Sequence, residues 1–114
     1  MPRMLMIVEM RPIDREHEPE FNRWYAQEHI PEMLDTPGII AASRYELTNP
    51  AIPGTADGPG QYMTIWEMEA DSPEDAQEAL NNAMGSGRWS MHEFIDYASM
   101  SIRFFKPLSE HITK

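Results

Sequence analysis

The sequence predicts one α+β domain with the ferredoxin-like βαββαβ plait. The chain has 114 residues, which suits a single domain with one core. Its apolar residues alternate in some segments, as in strands, and recur every three to four residues in others, as in helices. The segments follow the order strand, helix, strand, strand, helix, strand, which builds an antiparallel sheet with both helices on one face. The domain is expected to cover residues 1–114, with a polar tail at 107–114.

Short local signals define the first strand and the first helix. Met4–Met10 is a mostly apolar run that suits a buried strand. The helix begins at Glu18–Glu20, where a proline occupies the first turn and carboxylates face the positive end of the helix dipole. Its apolar stripe consists of Phe21, Trp24, Tyr25 and Met33. Because Pro31 lies within this helix, we expect a kink at His29 and Ile30 that moves Ile30 out of the α region.

Two alternating segments predict a β-hairpin. Ile39–Leu47 places its odd-numbered residues on one face and its even-numbered residues on the other, and Tyr62–Glu69 alternates in the same way. Between them, Pro50–Gly60 contains three prolines and three glycines, which excludes regular structure. This segment is expected to be a long loop, either a lid or a solvent-exposed connection.

The second helix has the clearest start in the chain. Ser72 is an N-cap residue followed by a proline and two acidic residues. The inner face carries mostly small side chains at helical spacing, namely Ala76, Ala79, Leu80, Ala83 and Met84, and Gly85 supplies the stop. Arg88–Tyr97 is expected to form either a short helix or a packed loop, and Ser99–Lys106 alternates as the last strand.

The composition excludes several classes of function. Nineteen acidic residues against nine Lys and Arg give a net charge of −10, so the clustered cations that nucleic-acid binding needs are lacking. The chain has no cysteine, which removes disulfides, thiolate nucleophiles and Cys-ligated metals. The longest apolar run, Met4–Val8, is far shorter than the roughly 20 residues of a membrane span. We therefore expect a cytoplasmic protein that contacts neither nucleic acid nor membrane.

Apolar side chains occur on both faces of the predicted strands. Neighbouring apolar pairs are Ile39 with Ile40, Ile65 with Trp66, and Phe104 with Phe105. Since the helices cover one face of the sheet only, the other face of a monomer stays open. A two-fold dimer that packs two open faces together covers it, so we expect a homodimer.

Several motifs are shared with a known group of proteins. They are Glu20–Tyr25 (EFNRWY), Glu28–Glu32 (EHIPE), Pro37-Gly38 and Arg44-Tyr45. On these residues the chain resembles the dimeric α+β-barrel superfamily, in particular EthD-like proteins. The resemblance implies a dimeric barrel with a cavity between helices and sheet in each subunit. It also implies activities such as those of cofactor-free polyketide cyclases, dehydratases, quinone-forming monooxygenases and lactone isomerases. The helical histidine before the proline matches His29.

His29 is the predicted general acid or base. An imidazole titrates near neutrality, so it can move protons at physiological pH when it lines a cavity. Helix carbonyls at the kink and the neighbouring Glu28 are expected to raise its pKa by favouring the charged form. Tyr25 or Tyr62 is expected to donate a hydrogen bond to a developing enolate. The structural alternative is a histidine that only hydrogen-bonds across the kink.

Four aromatic residues are candidates for the walls of a pocket for a flat substrate: Trp24, Tyr25, Tyr62 and Trp66. Ordinary core packing is the alternative. Glu28 and Arg44 complete the predicted substrate-binding set. Arg44 is expected either to pair with Glu46 or Glu67, or to bind a carboxylate or enolate.

The remaining histidines and acidic residues do not predict a metal centre. His29 and Glu32 have a possible ligand spacing, but the other histidines lie in separate segments. We therefore expect no metal and no cofactor. Trp89, His92 and Tyr97 either close the pocket or belong to a packed loop.

The sequence thus predicts a homodimer that performs cofactor-free proton transfer on a small aromatic or polyketide-like metabolite, by dehydration, cyclisation, isomerisation or a lyase step. Three alternatives stay open. One is cofactor-free monooxygenation of a phenol, and another is non-catalytic binding of a small hydrophobe, as in a stress-response barrel. The third is haem binding or degradation with His29 as axial ligand. The net charge of −10 favours a neutral or weakly acidic ligand.

Overall fold

The elements follow the predicted order in a computed structural model, which describes residues 3–48, 60–85 and 93–114. They are β1 (Arg3–Met10), α1 (Glu18–Trp24), α2 (Ile30–Leu34), β2 (Ile39–Glu46), β3 (Tyr62–Glu69), α3 (Pro73–Gly85) and β4 (Ser101–Phe105). A π-helical turn, Tyr25–His29, joins α1 to α2, and a 3₁₀ turn, Tyr97–Ser99, precedes β4. The sheet has the order β2-β3-β1-β4 with antiparallel neighbours throughout. The predicted ferredoxin-like α+β class is confirmed.

Strict alternation along the two central strands builds the core. The inner residues of β3 are Tyr62, Thr64, Trp66 and Met68, and all are buried. The inner residues of β1 are Met4, Met6, Val8 and Met10, which are buried as well. The helices supply the opposite wall of the core with Phe21, Trp24, Tyr25, Met33, Ala76 and Leu80. The sheet therefore has one face covered by helices, as predicted.

The first helix is wider near Pro31 than predicted, and Ile30 is not displaced. Ile30 has φ −59° and ψ −48°, inside the α region, and its N–H donates to the carbonyl of Tyr25, five residues back. The predicted departure of Ile30 from the α region is wrong. A π-helical turn accommodates the proline instead, because it removes the need for a hydrogen bond from the Pro31 nitrogen and relieves the ring's clash with the carbonyl of Gln27. This wide turn sets the directions of Tyr25 and His29.

A bulge at the start of β2 breaks the predicted alternation of that strand. The pairing with β3 shifts between Ile39 and Ala41. Ile39 is buried opposite Met68, whereas Ile40 is 42% exposed. An extra residue in one strand reverses the face of the sheet to which the preceding side chains point. Ile39 therefore shares the inner face with Arg44, which lies opposite Thr64, and not with the odd-numbered residues.

The remaining described segments agree with their predicted roles. Ser72 Oγ accepts a hydrogen bond from the Asp75 N–H at 3.1 Å, which caps α3. Ile95 bridges Pro12 at the end of β1, so the described part of the segment before β4 is a packed turn. The predicted loop at 50–59 and the segment 88–92 lie outside the described residues. Within the described ranges, no helix combines the length and apolar character that crossing a bilayer requires.

Candidate functional site

A cavity of about 70 Å³ lies between the helices and the inner face of the sheet. Its aromatic lining consists of Trp24, Tyr25, His29 and Trp66, and methionines contribute Met6, Met10, Met33 and Met100. Four of the predicted site residues thus come together in one place. The lining is almost wholly apolar, so His29 is the lining side chain suited to proton transfer at neutral pH.

The imidazole of His29 is enclosed by three aromatic rings. It stacks on Trp24 with ring centroids 4.8 Å apart and an interplanar angle of 18°. Tyr25 and Trp66 meet it edge to face, at 4.9 Å and 5.8 Å. The π-helical turn creates this arrangement, because it carries both Tyr25 and His29 on the inner side. Three rings fix the orientation of the imidazole plane without using its nitrogens.

The Nδ1 atom of His29 is buried and has no hydrogen-bond partner among the described residues. Buried polar atoms are nearly always paired, so an exception points to a missing ligand or a functional role. Burial lowers the pKa of His29 to about 4; the carboxylate of Glu32 opposes this change and the charge of Arg44 adds to it. The predicted rise in this pKa is therefore wrong. At neutral pH the ring is an uncharged donor and acceptor.

The lowered pKa of His29 predicts acid sensitivity of the fold. An imidazole that titrates at about 4 in the folded chain, against 6.5 when unfolded, binds fewer protons when folded, so its contribution is complete above pH 6.5 and is lost as the pH falls towards 4. The loss is expected to reach about 3 kcal/mol. Urea titrations from pH 7 to pH 4 measure it. His29→Gln is expected to flatten the profile in this window, whereas His111→Gln in the exposed tail is expected to keep the parent slope. Identical slopes for the parent and His29→Gln would contradict the prediction.

Tyr25 contributes its ring to the cavity, while its hydroxyl is engaged elsewhere. The hydroxyl accepts a hydrogen bond from Thr64 Oγ1 at 2.7 Å in the buried core. Burial raises the pKa of Tyr25, and the bond from Thr64 and the charge of Arg44 partly offset this rise. A phenol of raised pKa remains protonated at neutral pH. Tyr25 therefore shapes the cavity with its ring and keeps its hydroxyl proton, and its predicted donation to a developing enolate stays a prediction.

Tyr62 lies in a polar cluster beside the cavity and does not line it. Its hydroxyl donates to Glu18 Oε2 at 2.6 Å and accepts from Asn22 Nδ2 at 3.0 Å. The same carboxylate oxygen accepts the backbone N–H of Gly60 at 3.2 Å. Burial raises the pKa of Tyr62, and its bond to Glu18 raises it further. The structure thus separates Tyr62 from the other three aromatic residues of the predicted wall.

Arg44 and Glu28 also lie outside the cavity lining. Glu28 is exposed on the helix and its Oε2 lies 3.7 Å from Arg23 Nη1. Glu67, one of the predicted partners of Arg44, pairs instead with Arg3 at 3.2 Å. The predicted ion pair with Glu67 is therefore wrong, because alternation along β3 directs Glu67 to the outer face of the sheet while Arg44 is on the inner face.

The guanidinium of Arg44 lies on aromatic faces. Its central carbon is 4.2 Å from the ring centroid of Tyr25 and 5.0 Å from that of Tyr62. Nη2 donates to Asn22 Oδ1 at 2.9 Å. Cation–π contacts of this kind hold an arginine without a carboxylate. Arg44 therefore borders the cavity through Tyr25.

Sequence reasoning missed the methionines that line the cavity and the polar partners of Tyr25 and Tyr62. The alternation of β1 and β3 could have indicated Met6, Met10 and Thr64, since all occupy inner positions of their strands. Thr64, as the single polar residue among apolar neighbours on that face, needs a buried partner. Glu18 and Asn22 gave no local signal, because each lies on a helix rich in charged residues.

Two further predictions concern the segment before β4 and metal binding. Trp89 and His92 lie outside the described residues. Tyr97 is 49% exposed and is not part of the cavity lining. Among the described side chains, no three His, Asp or Glu residues come close enough to hold a metal ion.

Comparison with solved structures identifies the architecture. No family model and no curated protein sequence matches the chain. An ethyl tert-butyl ether D (EthD) family protein from Bacillus halodurans superposes with a TM-score of 0.61 and 15% identity, covering 92% of this chain and 99% of that one. The chain has the ferredoxin-like α+β fold of that protein. A monooxygenase from Streptomyces coelicolor, in complex with the ligand nanaomycin D, superposes with a TM-score of 0.50 and 12% identity over 99% of this chain and 94% of that one. The resemblance to EthD-like proteins is confirmed at the level of the fold.

Proposed function

We propose that this protein is an enzyme that acts by proton transfer, without a cofactor, on a small aromatic or polyketide-like metabolite. The observation that carries the proposal is His29, whose side chain lines an aromatic cavity and whose buried Nδ1 has no partner among the described residues. A neutral imidazole in such a place can accept a proton from one substrate atom and return it to another. This sequence of steps is common to isomerisation, dehydration and lyase reactions.

The rest of the cavity supports a flat and largely apolar substrate. Trp24 and Trp66 offer ring faces and edges that orient an aromatic substrate. The volume of about 70 Å³ is below the roughly 300–1,000 Å³ of common ligand sites. Methionine side chains adapt readily, and four of them line this cavity. We propose that one substrate ring enters and displaces them.

The low pKa of His29 shapes the proposed chemistry. A base that titrates at about 4 holds a proton weakly, so an imidazolium formed during turnover returns its proton quickly. A substrate anion beside the ring would raise this pKa during the reaction, because an opposite charge favours the protonated form. The rate is therefore expected to be independent of His29 ionisation at neutral pH.

The fold shared with a Streptomyces monooxygenase favours one second candidate, cofactor-free oxygenation of a phenol. Its first step is the same, since removal of a proton by His29 leaves an electron-rich anion that can react with dioxygen. Non-catalytic binding of a small hydrophobe would use the same cavity without turnover. Haem binding has less support, because the cavity of about 70 Å³ would have to widen much more for a tetrapyrrole than for one aromatic ring.

A screen of small phenols, enols and unsaturated lactones tests the proposed function. Binding is followed by intrinsic tryptophan fluorescence, to which Trp24 and Trp66 of the cavity contribute, and turnover is followed by product analysis with an oxygen electrode in the same cell. Products formed without oxygen consumption support the proton-transfer enzyme, and stoichiometric oxygen consumption supports the oxygenase. Binding without turnover across the screen favours a sequestering protein. A Soret band on addition of haemin, lost in His29→Ala, would replace all three.

We also propose that the protein is a cytoplasmic homodimer formed through the outer face of the sheet. This face carries partly exposed apolar side chains on every strand, including Leu5, Ile7, Tyr45, Ile65 and Phe105. A dimer here is expected to bury well over about 1,200 Å² in total. Light scattering at micromolar concentration should give twice the 13.2 kDa of one chain. Ile7→Glu should give the single-chain mass, and a parent protein already at that mass would contradict the proposal.

A further inference from the structure

Arg44 is a charged group beside the cavity that the proposed chemistry has not used. It is half-buried on the inner face of β2, and burial lowers its pKa, although a guanidinium remains protonated at any physiological pH. Its Nη2 bonds to the neutral oxygen of Asn22. Its Nε is buried and has no hydrogen-bond partner among the described residues. Such a cation keeps a strong field, because a neutral acceptor does not cancel its charge.

The carboxylates around Arg44 offset its charge only in part. Glu18 keeps its charge, because its partners Tyr62 and Gly60 are neutral, but Tyr62 and Asn22 stand between it and Arg44. Glu67 pairs with Arg3 on the outer face of the sheet. Glu46, two residues along β2 on the same face, raises the pKa of Arg44, but its side chain is exposed, where solvent and salt screen it.

The field of Arg44 reaches the cavity across one ring. The guanidinium carbon is 4.2 Å from the ring centroid of Tyr25, and that centroid is 4.9 Å from the ring of His29. The cation is thus at most about 9 Å from the imidazole. Through protein of effective dielectric constant about 20, a unit charge at that distance changes an ionisation constant by about twentyfold, and solvent screening of the half-buried guanidinium reduces this effect.

We propose that Arg44 is a positioning residue that acts through Tyr25 to make the cavity electropositive, so that the site selects ligands that become anionic inside it, such as an enol or phenol that ionises on binding. This inference rests on the proposed function and names the charge of its intermediate. The net charge of −10 repels anions from the protein at a distance. A neutral acid that enters and then transfers its proton to His29 avoids this repulsion, and the resulting anion is attracted by Arg44.

Two probes report the potential in the cavity independently. The first probe is the pKa of His29 in the ligand-free protein, measured by NMR. The nearby cation Arg44 disfavours the protonated imidazole and lowers this pKa, whereas the carboxylate of Glu32 raises it. The second is bound para-nitrophenol, whose yellow phenolate and colourless phenol give its pKa by absorbance. In the parent protein, the bound phenol is expected to have a lower pKa than the free phenol.

Four variants separate charge from packing. Arg44→Met removes the charge and keeps an apolar chain on Tyr25, whereas Arg44→Lys keeps the charge. Asn22→Asp places a carboxylate beside the guanidinium and serves if Arg44→Met does not fold. Arg103→Met is the matched control, since Arg103 lies over the Phe105 ring at 5.7 Å on the outer face of the sheet.

Arg44→Met and Asn22→Asp are each expected to raise the pKa of His29 and that of bound para-nitrophenol by about 0.5–1 unit, a three- to tenfold change in ionisation. Arg44→Lys and Arg103→Met are expected to stay within about 0.2 unit of the parent. An unchanged pKa of His29 in a folded Arg44→Met or Asn22→Asp variant would overturn the inference. Failure of the parent to bind any phenol would count against the proposed function, while the His29 titration would still decide the role of Arg44.

Discussion

Replacing His29 by glutamine is expected to lower kcat by about 10²–10⁴-fold, the usual contribution of a general acid or base. Glutamine fills a similar volume and offers a donor and an acceptor, but it cannot take up a proton. The fold and the ligand affinity should therefore persist. Steady-state kinetics with the best substrate of the screen, together with fluorescence binding, separate the two effects. The loss should appear in kcat and not in ligand affinity, because glutamine can still form a hydrogen bond to the bound substrate.

The matched control for this substitution is His111→Gln, which changes the same residue type in the exposed C-terminal tail. It should leave kcat within about twofold. A folded His29→Gln variant that binds ligand and turns over within a few-fold of the parent would eliminate His29 as the proton-transfer group. The parent should also show no change in kcat/KM between pH 6 and pH 8 that follows His29, since the pKa of His29 in the free enzyme is about 4.

The alternation of apolar residues and the order of the elements were sufficient to predict the arrangement of the sheet. Alternation in Tyr62–Glu69 predicted which residues face the helices, and each inner residue of that strand is buried. The order of elements then allows few arrangements, because crossover connections have a preferred hand and neighbouring strands pair. The same reasoning failed in β2, where a bulge near Ile40 reverses the facing of Ile39. Bulges depend on how a strand fits its neighbour, so a single strand's sequence does not show them.

The helix around Pro31 shows a second limit of sequence reasoning. The proline correctly indicated a local distortion, but a kink and a widened turn both relieve its clash. Packing decides between them, since the π-helical turn buries Tyr25 and directs His29 to the inner side. The direction of the pKa change of His29 depends on the same choice. Glu28 is exposed beside Arg23, and burial outweighs other influences on the imidazole.

Four residues of the predicted site lie around one cavity, and their roles stay predictions. Trp24, Tyr25 and His29 follow each other within about one turn of helix, and Trp66 faces them from the sheet. Tyr62 lies on the same face of β3 and pairs with Met10, which lines the cavity, so its position along the strand does not exclude it. Its hydroxyl is instead bonded to Glu18 and Asn22. Such side-chain partners depend on the folded arrangement, and the sequence pattern of one strand does not show them.

Replacing Trp66 by alanine is expected to lower the free energy of unfolding by about 3–5 kcal/mol, the range for removing a buried aromatic side chain. Trp66 has no exposed surface and belongs to the inner face of a central strand. Its ring stacks near Tyr25 and meets His29 edge to face. Deleting the Trp66 side chain enlarges a cavity that already exists, so the neighbouring side chains can close only part of the added space.

Urea denaturation at pH 7 measures the loss, with Leu108→Ala as control because Leu108 is 94% exposed and its removal should cost less than about 0.5 kcal/mol. Trp66→Phe, which keeps part of the ring volume, should lie between the control and Trp66→Ala. Indole is the probe for the enlarged cavity: a ligand that binds only the folded state stabilises it in proportion to the logarithm of its concentration. Indole should therefore raise the urea midpoint of Trp66→Ala by more than that of the parent. A loss below about 1 kcal/mol without any response to indole would mean that the Trp66 ring does not fill the space beside His29.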